Sequence, residues 1–203
     1  MSDLVRGRYP TTHPLSKLLG AYNATQGNIA QRSNLEWLGI GSLTDGALAA
    51  TGVATAVAIP VEVGDQFTKI TILVGATAAS TPAHSAAALY SGIATPAIIG
   101  SQSVDTTTTA IAASASFSYT LPSPVTVTAA NAPFGFIYAS LTGTATAVQT
   151  AASIGTPTAV GYQWTTNGPL FLGATHGSSL AGAMPATIAA PAAKAVTPIV
   201  LLS

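Results

Sequence analysis

The feature that most limits the fold of this chain is a long stretch without charge. Residues 106–193 are 88 consecutive residues that include no Asp, Glu, Lys or Arg. Glycine, proline, serine and threonine interrupt the stretch every few residues, so no window of about 18 residues is continuously apolar, as a membrane-spanning helix requires. Short apolar segments bounded by turn-forming residues are typical of β-strands. We therefore expect an all-β chain that does not enter a membrane.

The clearest strand pattern lies at residues 53–61. Valine, isoleucine and threonine at the odd positions alternate with three alanines, which is the period of two expected for a strand. Similar runs follow at 67–74, 85–90, 97–102, 111–121, 134–141, 170–175 and 195–202. Eight short strands without helical periodicity between them predict a two-sheet, jelly-roll-like β-sandwich.

The charged residues are concentrated near the N-terminal end of the chain. Seven of the twelve lie within the first 45 residues, and the composition changes near residue 50. We therefore divide the chain into an N-terminal anchoring arm, residues 1–50, and a jelly-roll-like domain, residues 51–203. Within the arm, Thr12 and Pro14 are typical of the start of a short helix.

The apolar side chains of this arm are candidates for docking onto another surface. Four of them follow the predicted helix start at helical spacing, and two more lie after a polar stretch. They are Leu15, Leu18, Leu19, Tyr22, Trp37 and Leu38. The segment is too short to bury these side chains itself. The surface that covers them belongs either to another subunit or to the β domain of the same chain, and both interpretations are open.

The composition excludes several classes of function. Charged residues make up 6% of the chain, against about 25% in an average soluble domain. A net charge of zero and a pI near 6.8 argue against nucleic-acid binding, which depends on clustered lysine and arginine. The absence of cysteine excludes disulfides and thiolate metal sites. The first residues lack the apolar run of a secretory signal, so we expect assembly in the cytoplasm.

Alanine and threonine together dominate the composition. The chain has 40 alanines and 29 threonines. The alanine-rich faces predict closely packed layers, and the threonine-rich faces predict a polar surface without charge.

Few residues suggest chemistry. His84, Ser85 and Asp105 are conceivable parts of a hydrolytic triad, but the chain lacks the motif that positions such a serine. Glu62 and Asp65 flank a turn glycine, which is typical of a solvated hairpin and only secondarily of a glycosidase pair or calcium site. The histidines lack metal-ligand spacing. We predict no catalytic residue, no metal site and no cofactor.

Residues 144–167 are too long for an ordinary hairpin turn, and we expect them to form an extended loop. This loop contains Tyr162 and Trp164, one on each side of a glutamine. Two aromatic rings beside an amide suit stacking against a sugar or anchoring a protein partner. Alternatively, Trp164 closes one end of the sandwich.

Two runs of residues resemble a class of phage proteins. They are residues 57–75, VAIPVEVGDQFTKITILVG, and residues 81–92, TPAHSAAALYSG. Both are similar to segments of small β-rich accessory virion proteins from tailed bacteriophages that infect actinobacteria, and the resemblance covers residues 50–203. It implies a capsid decoration, minor capsid or minor tail protein, often a homotrimer, whose arm reaches onto neighbouring subunits.

We therefore expect a structural virion protein rather than an enzyme. Its predicted form is a capsid decoration or minor capsid protein that its N-terminal arm anchors to the major capsid protein or to other virion subunits. A mean hydropathy of +0.50 indicates apolar surface, which such neighbours would cover. The alternative is a minor tail or fibre component that binds a host-surface glycan or receptor through Tyr162 and Trp164.

Overall fold

The computed structural model describes residues 31–38, 44–48, 52–79, 82–106, 111–144, 150–155 and 169–203. These residues form strands and one short helix. The strands are β1 (Arg32–Ser33), β2 (Thr44–Ala47), β3 (Ala54–Pro60), β4 (Gln66–Leu73), β5 (His84–Ser91), β6 (Ala97–Ile99), β7 (Ser116–Thr126), β8 (Phe136–Thr144), β9 (Thr150–Gly155), β10 (Gly173–His176), β11 (Ala192–Ala193), β12 (Val196–Pro198) and β13 (Val200–Leu202), and the helix is α1 (Leu35–Leu38).

Two antiparallel sheets form the sandwich. One has the strand order β1-β13-β4-β7 and the other the order β11-β10-β3-β8-β5-β6. Eight of these strands, β1, β3 to β8 and β13, can be numbered one to eight along the chain. Their order is then 1-8-3-6 in the first sheet and 2-7-4-5 in the second, which is the order of a jelly roll with its two Greek keys. The predicted jelly-roll-like β-sandwich is confirmed.

The four-stranded sheet has one buried face and one face towards solvent. Along β4, Phe67, Ile70 and Ile72 are fully buried, while Thr71 on the opposite face is partly exposed. β7 alternates in the same way. The buried faces of β4 and β7 pack against the second sheet in the main hydrophobic core. The period of two in the sequence therefore corresponds here to an inside and an outside.

The central strands of the six-stranded sheet, β10, β3, β8 and β5, are buried on both faces. Large aliphatic side chains such as Val57 and Ile59 belong to the main core between the sheets. The alanines that alternate with them pack in a second core on the opposite face. Residues 177–191, here called the cover, lie over this alanine face, where Met184 and Ile188 contact it. Since alanine side chains are small, the backbone of the cover can lie close to the sheet.

Several predicted boundaries are wrong, among them the ends at 97–102 and 170–175, where the strands cover only Ala97–Ile99 and Gly173–His176. The loop predicted at 144–167 contains a strand, β9, which pairs with β2 and β12 in a third, small sheet. The single strand predicted at 195–202 is two strands, because β12 joins the small sheet and β13 joins the four-stranded sheet. The strand predicted at 111–121 begins only at Ser116, since residues 112–115 form an exposed turn in which Ser114 has a φ of 52°.

The described part of the predicted arm lies on the sandwich itself. β1 pairs with β13, and β2 pairs with β9. The helix predicted near Thr12 lies outside the described residues, and the domain boundary near residue 50 stays a prediction. No helix in the described ranges has the length and hydrophobicity needed to cross a bilayer.

Candidate functional site

The end of the arm is held by a cluster of four charged side chains, which we call the arm root. Arg32 binds both carboxylate oxygens of Asp65, at 2.6 and 3.2 Å, and lies 3.6 Å from Glu36 and 3.5 Å from Glu62. Burial alone would lower the pKa of Arg32, but the hydrogen bond and charge of Asp65 outweigh it and raise that pKa. Arg32 therefore stays charged and fastens β1 to the turn between β3 and β4.

Next to this cluster, and from here on counted as part of the arm root, lies the side chain of Asn34, which is 1% exposed. Its Nδ2 donates to the Pro198 carbonyl at 2.9 Å, and its Oδ1 accepts the Val200 N–H at 3.0 Å. These two backbone groups lie on either side of the point where β12 passes into β13. The amide thus satisfies groups that the change of sheet leaves without a strand partner.

A local motif shapes the start of α1. The Ser33 hydroxyl accepts the N–H of Leu35, and the Glu36 carboxylate accepts the N–H of Ser33 at 2.9 Å. This reciprocal pair is a capping box, and its Ser-x-x-Glu pattern is readable in the sequence although our prediction did not use it. Burial raises the pKa of Glu36 despite its contacts with Ser33 and Arg32.

The structure places only part of the predicted docking set. Trp37 and Leu38 lie in α1, next to the arm root. The other four arm residues, Leu15, Leu18, Leu19 and Tyr22, lie outside the described residues. So do Tyr162 and Trp164, and the contact predicted for them with a glycan or a partner stays a prediction.

The residues considered for a hydrolytic triad are divided between two faces of the sheet. His84 Nδ1 and Asp105 Oδ2 are 2.6 Å apart at the edge of the alanine face. Ser85 follows on β5 and points the other way, where its hydroxyl shares a hydrogen bond of 2.9 Å with Tyr119. The Ser85 N–H donates to the second oxygen of Asp105. The serine and the imidazole thus lie on opposite sides of one strand and do not form a triad.

Glu62 and Asp65 do not form a pair of free carboxylates either. Both contact Arg32, and Asp65 also accepts the N–H of Glu62 at 2.8 Å. Their role is to hold the arm root. Across the described residues, no group of three His, Asp or Glu side chains is placed to hold a metal ion.

A buried histidine lies on the alanine face. His176 is 3% exposed, and its Nε2 shares a hydrogen bond of 2.7 Å with the hydroxyl of Ser140. Its Nδ1 has no hydrogen-bond partner in the described part of the chain. Burial lowers the pKa of His176 to about 4, so the imidazole is neutral near pH 7. The Tyr90 ring contacts it edge-on, with 6.0 Å between ring centres.

One open depression has a volume of about 450 Å³. It lies where β2 meets the end of β4, and its lining includes Asp45, Ser114 and Ser116. The Asp45 carboxylate accepts the N–H of Ala76 at 2.9 Å. The depression is shallow, and its one carboxylate already has a structural role.

The chain matches no protein-family model, and a search of curated proteins found no significant match. The case for a function therefore rests on the fold, on the arm root and on the resemblance of residues 57–75 and 81–92.

Proposed function

We propose that this chain is a structural protein of a phage particle, a capsid decoration or minor capsid protein that its N-terminal segment anchors. The observation that carries the proposal is the arm root. Arg32 and Asn34 fix the exact place where the first 30 residues join a jelly-roll sandwich. Because residues 1–30 are joined to the sandwich at this fixed point, a partner that binds them also anchors the whole domain.

The charges and apolar residues of the chain favour this role. Residues 1–30 combine Arg6, Arg8 and Lys17 with four of the six docking residues, whereas residues 71–203 carry only two charges. Ordering such a segment on a partner costs about 1–2 kcal/mol per residue in backbone entropy, which its leucines must offset. Several copies in a homotrimer would bind more firmly than one, because the second and third contacts are intramolecular. The proposed partners are the major capsid protein or neighbouring virion subunits.

The structure defines where the chain should be cut to test this proposal. Removing residues 1–30 leaves Arg32, Asn34 and both strands of the arm in place. Removing residues 1–45 would also delete β1, α1 and part of β2, so a loss of binding could then reflect misfolding. The shorter deletion therefore isolates the anchoring role.

The experiment measures how much truncated protein binds to particles that lack their own copy. We expect occupancy to fall at least tenfold, with an unchanged midpoint of thermal unfolding. A full-length variant with Leu15, Leu18 and Leu19 replaced by aspartate should lose binding similarly. Full occupancy by the truncated protein would reject the proposal.

A further inference from the structure

The cover is fastened to the alanine face by a small number of contacts. The Gln102 side chain makes two hydrogen bonds to the backbone of the cover. Its Nε2 donates to the Gly182 carbonyl at 2.9 Å, and its Oε1 accepts the Met184 N–H at 2.7 Å. The Tyr90 hydroxyl donates to the Pro185 carbonyl at 2.6 Å. The side chains of the cover that pack onto the alanine face are Leu180, Met184 and Ile188.

These contacts are fewer than those that hold the long central strands of the sandwich, each of which pairs with a neighbour over seven residues. The backbone of the cover pairs with the β6 segment at one bridge, Ala97–Thr187, where the Ile98 N–H donates to the Ala186 carbonyl and the Ile188 N–H to the Pro96 carbonyl. One more backbone bond joins the Leu180 N–H to the Gly52 carbonyl, and much of the outer surface of the cover faces solvent. Segments with few buried apolar contacts open locally at a lower free energy than the whole fold. Opening of the cover need not disturb the main core, which lies on the other side of the sheet.

His176 lies at the beginning of the cover, one residue before Gly177, and it is buried in the layer that the cover closes. Its Nε2 has Ser140, but its Nδ1 has no acceptor among the described residues. Thr142, on the same face of β8, has a buried hydroxyl that likewise lacks a partner there. An imidazolium ion at this place would carry a buried charge and an unsatisfied N–H, and both are unfavourable.

Among the described residues, the groups around His176 offer no countercharge, and residues 177–191 of the cover include no charged side chain. β3 contributes Ala54, its partner in the ladder, and β8 contributes Ser140 and Thr142. β5 contributes Tyr90, whose phenol pKa is raised by burial, so this group stays neutral in acid. Burial alone is responsible for the lowered pKa of His176.

The second described histidine on this face is different. His84 lies against Asp105, which accepts its Nδ1–H, so a proton on this imidazole meets a carboxylate. Gly182 of the cover lies next to the pair. Of these two imidazoles, His84 has a countercharge, whereas His176 has none among the described residues.

We propose that His176 makes the cover an acid-sensitive latch: protonation of its imidazole releases residues 177–191 and exposes the alanine face. Release lets water reach both ring nitrogens and removes the penalty of the buried charge. The strands beneath keep their ladder, since their hydrogen bonds do not involve this side chain.

The direction of the pH dependence follows from the two pKa values. In the closed form the pKa of His176 is about 4, and in an open, hydrated form it returns to about 6.5. Between these values the open form binds more protons, so lowering the pH favours opening. From pH 7 to pH 4 the equilibrium constant for opening should rise on the order of 100-fold.

Two neighbouring alanines of β5 provide a matched pair of reporters, because the chain has no cysteine of its own. Ala88 faces the cover and Ala87 faces the main core, and both are 0% exposed. Single Ala88→Cys and Ala87→Cys variants of the full chain are reacted with dipyridyl disulfide, which reacts with thiols in acid. Each rate is divided by that of free cysteine at the same pH.

We expect the Ala88→Cys rate to rise on the order of 100-fold between pH 7 and pH 4, while the Ala87→Cys rate stays low. Adding His176→Leu should abolish the rise, and adding His84→Gln should leave it. His176→Gln, which keeps a polar partner for Ser140, replaces the leucine variant if that one does not fold. Equal acceleration at both reporters, no acceleration, or acceleration that survives the loss of His176 would each overturn the latch.

Discussion

The two faces of the six-stranded sheet are built from different side chains and covered by different kinds of structure. The inner face carries large aliphatic residues and meets another sheet, which is held by its own ladder. The outer face carries alanines, a few polar groups and aromatic rings, and meets an irregular segment. A face of large side chains gains stability from the apolar area that it buries and from close packing with the opposite sheet. A face of alanines allows a backbone to lie close to it and be hydrogen-bonded.

This difference assigns separate tasks to the two faces. The inner face holds the jelly roll together, because its side chains pack against the other sheet in one core that includes residues from Val57 to Leu202. The outer face holds the cover, which is fixed by side-chain hydrogen bonds from Gln102 and Tyr90 and by a few backbone hydrogen bonds to Gly52 and the β6 segment. Damage to the inner face should therefore affect the whole fold, and damage to the outer face should affect mainly the cover.

The largest expected effect compares two isoleucines of equal burial. Ile137 lies in the main core and Ile188 in the cover, and each is 0% exposed. Ile137→Ala should reduce the free energy of unfolding by about 4 kcal/mol, near the upper end for buried aliphatic truncations. Ile188→Ala should reduce it by only about 2 kcal/mol, because the cover can settle onto the flat alanine face.

Urea denaturation of the two variants measures both losses. A loss for Ile188→Ala as large as that for Ile137→Ala would mean that the cover is as firmly integrated as the strands. The contrast between the two faces would then be wrong.

The next effect compares two glycines with positive φ. Gly182 of the cover has a φ of 81° and Gly64, in the turn before β4, has a φ of 99°. A methyl group at Gly182 would overlap Asp105 Oδ2 and lie 2.7 Å from His84 Nδ1, whereas one at Gly64 would meet nothing within 4 Å. Both substitutions to alanine incur backbone strain of about 1 kcal/mol, and only Gly182→Ala adds a steric overlap, for a total of about 3 kcal/mol.

Thermal unfolding at neutral pH compares the two glycine variants, and Gly64→Ala controls for backbone strain. Equal losses would show that the cover moves aside freely at Gly182. The His84–Asp105 pair would then not be a fixed part of the surface beneath it.

The strands were largely predictable from the sequence. The contacts that distinguish the two faces of the six-stranded sheet were not. The alternation at 67–74 was enough to place Ile70 and Ile72 inside, because the period of two is a local property. It was not enough to show what lies over the alanines, since the cover has no periodic apolar pattern. β9 was missed for a related reason: its short, small-residue sequence is stabilised by partners that are far away in the chain.

The candidate site was less predictable still. The arm root joins Arg32 to Asp65, 33 residues later, and Asn34 to Val200, 166 residues later. No spacing rule connects such positions, because the jelly roll itself brings residues 32–34 next to residues 198–202. Only the capping box at Ser33 and Glu36 was a local signal.

The smallest expected effect compares hydroxyls on the buried and solvent-facing sides of the sandwich. Ser85 shares a hydrogen bond of 2.9 Å with the buried Tyr119, and Thr71 shares one of 2.8 Å with Ser118 on the exposed face. Ser85→Ala leaves a buried phenol without its partner and should cost about 1–2 kcal/mol. Thr71→Ala leaves a hydroxyl that water can satisfy, and it should cost less than about 0.5 kcal/mol.

Urea denaturation can resolve this difference when both variants are measured beside the unmodified protein. A cost for Thr71→Ala equal to that for Ser85→Ala would place the outer face of the four-stranded sheet in a dry environment, such as a contact between copies. A small cost keeps it as the wet face of the molecule. Among the described residues no segment lies over this outer face, so a dry result would add the exposed face around Thr71 and Ser118 to the candidate subunit contacts.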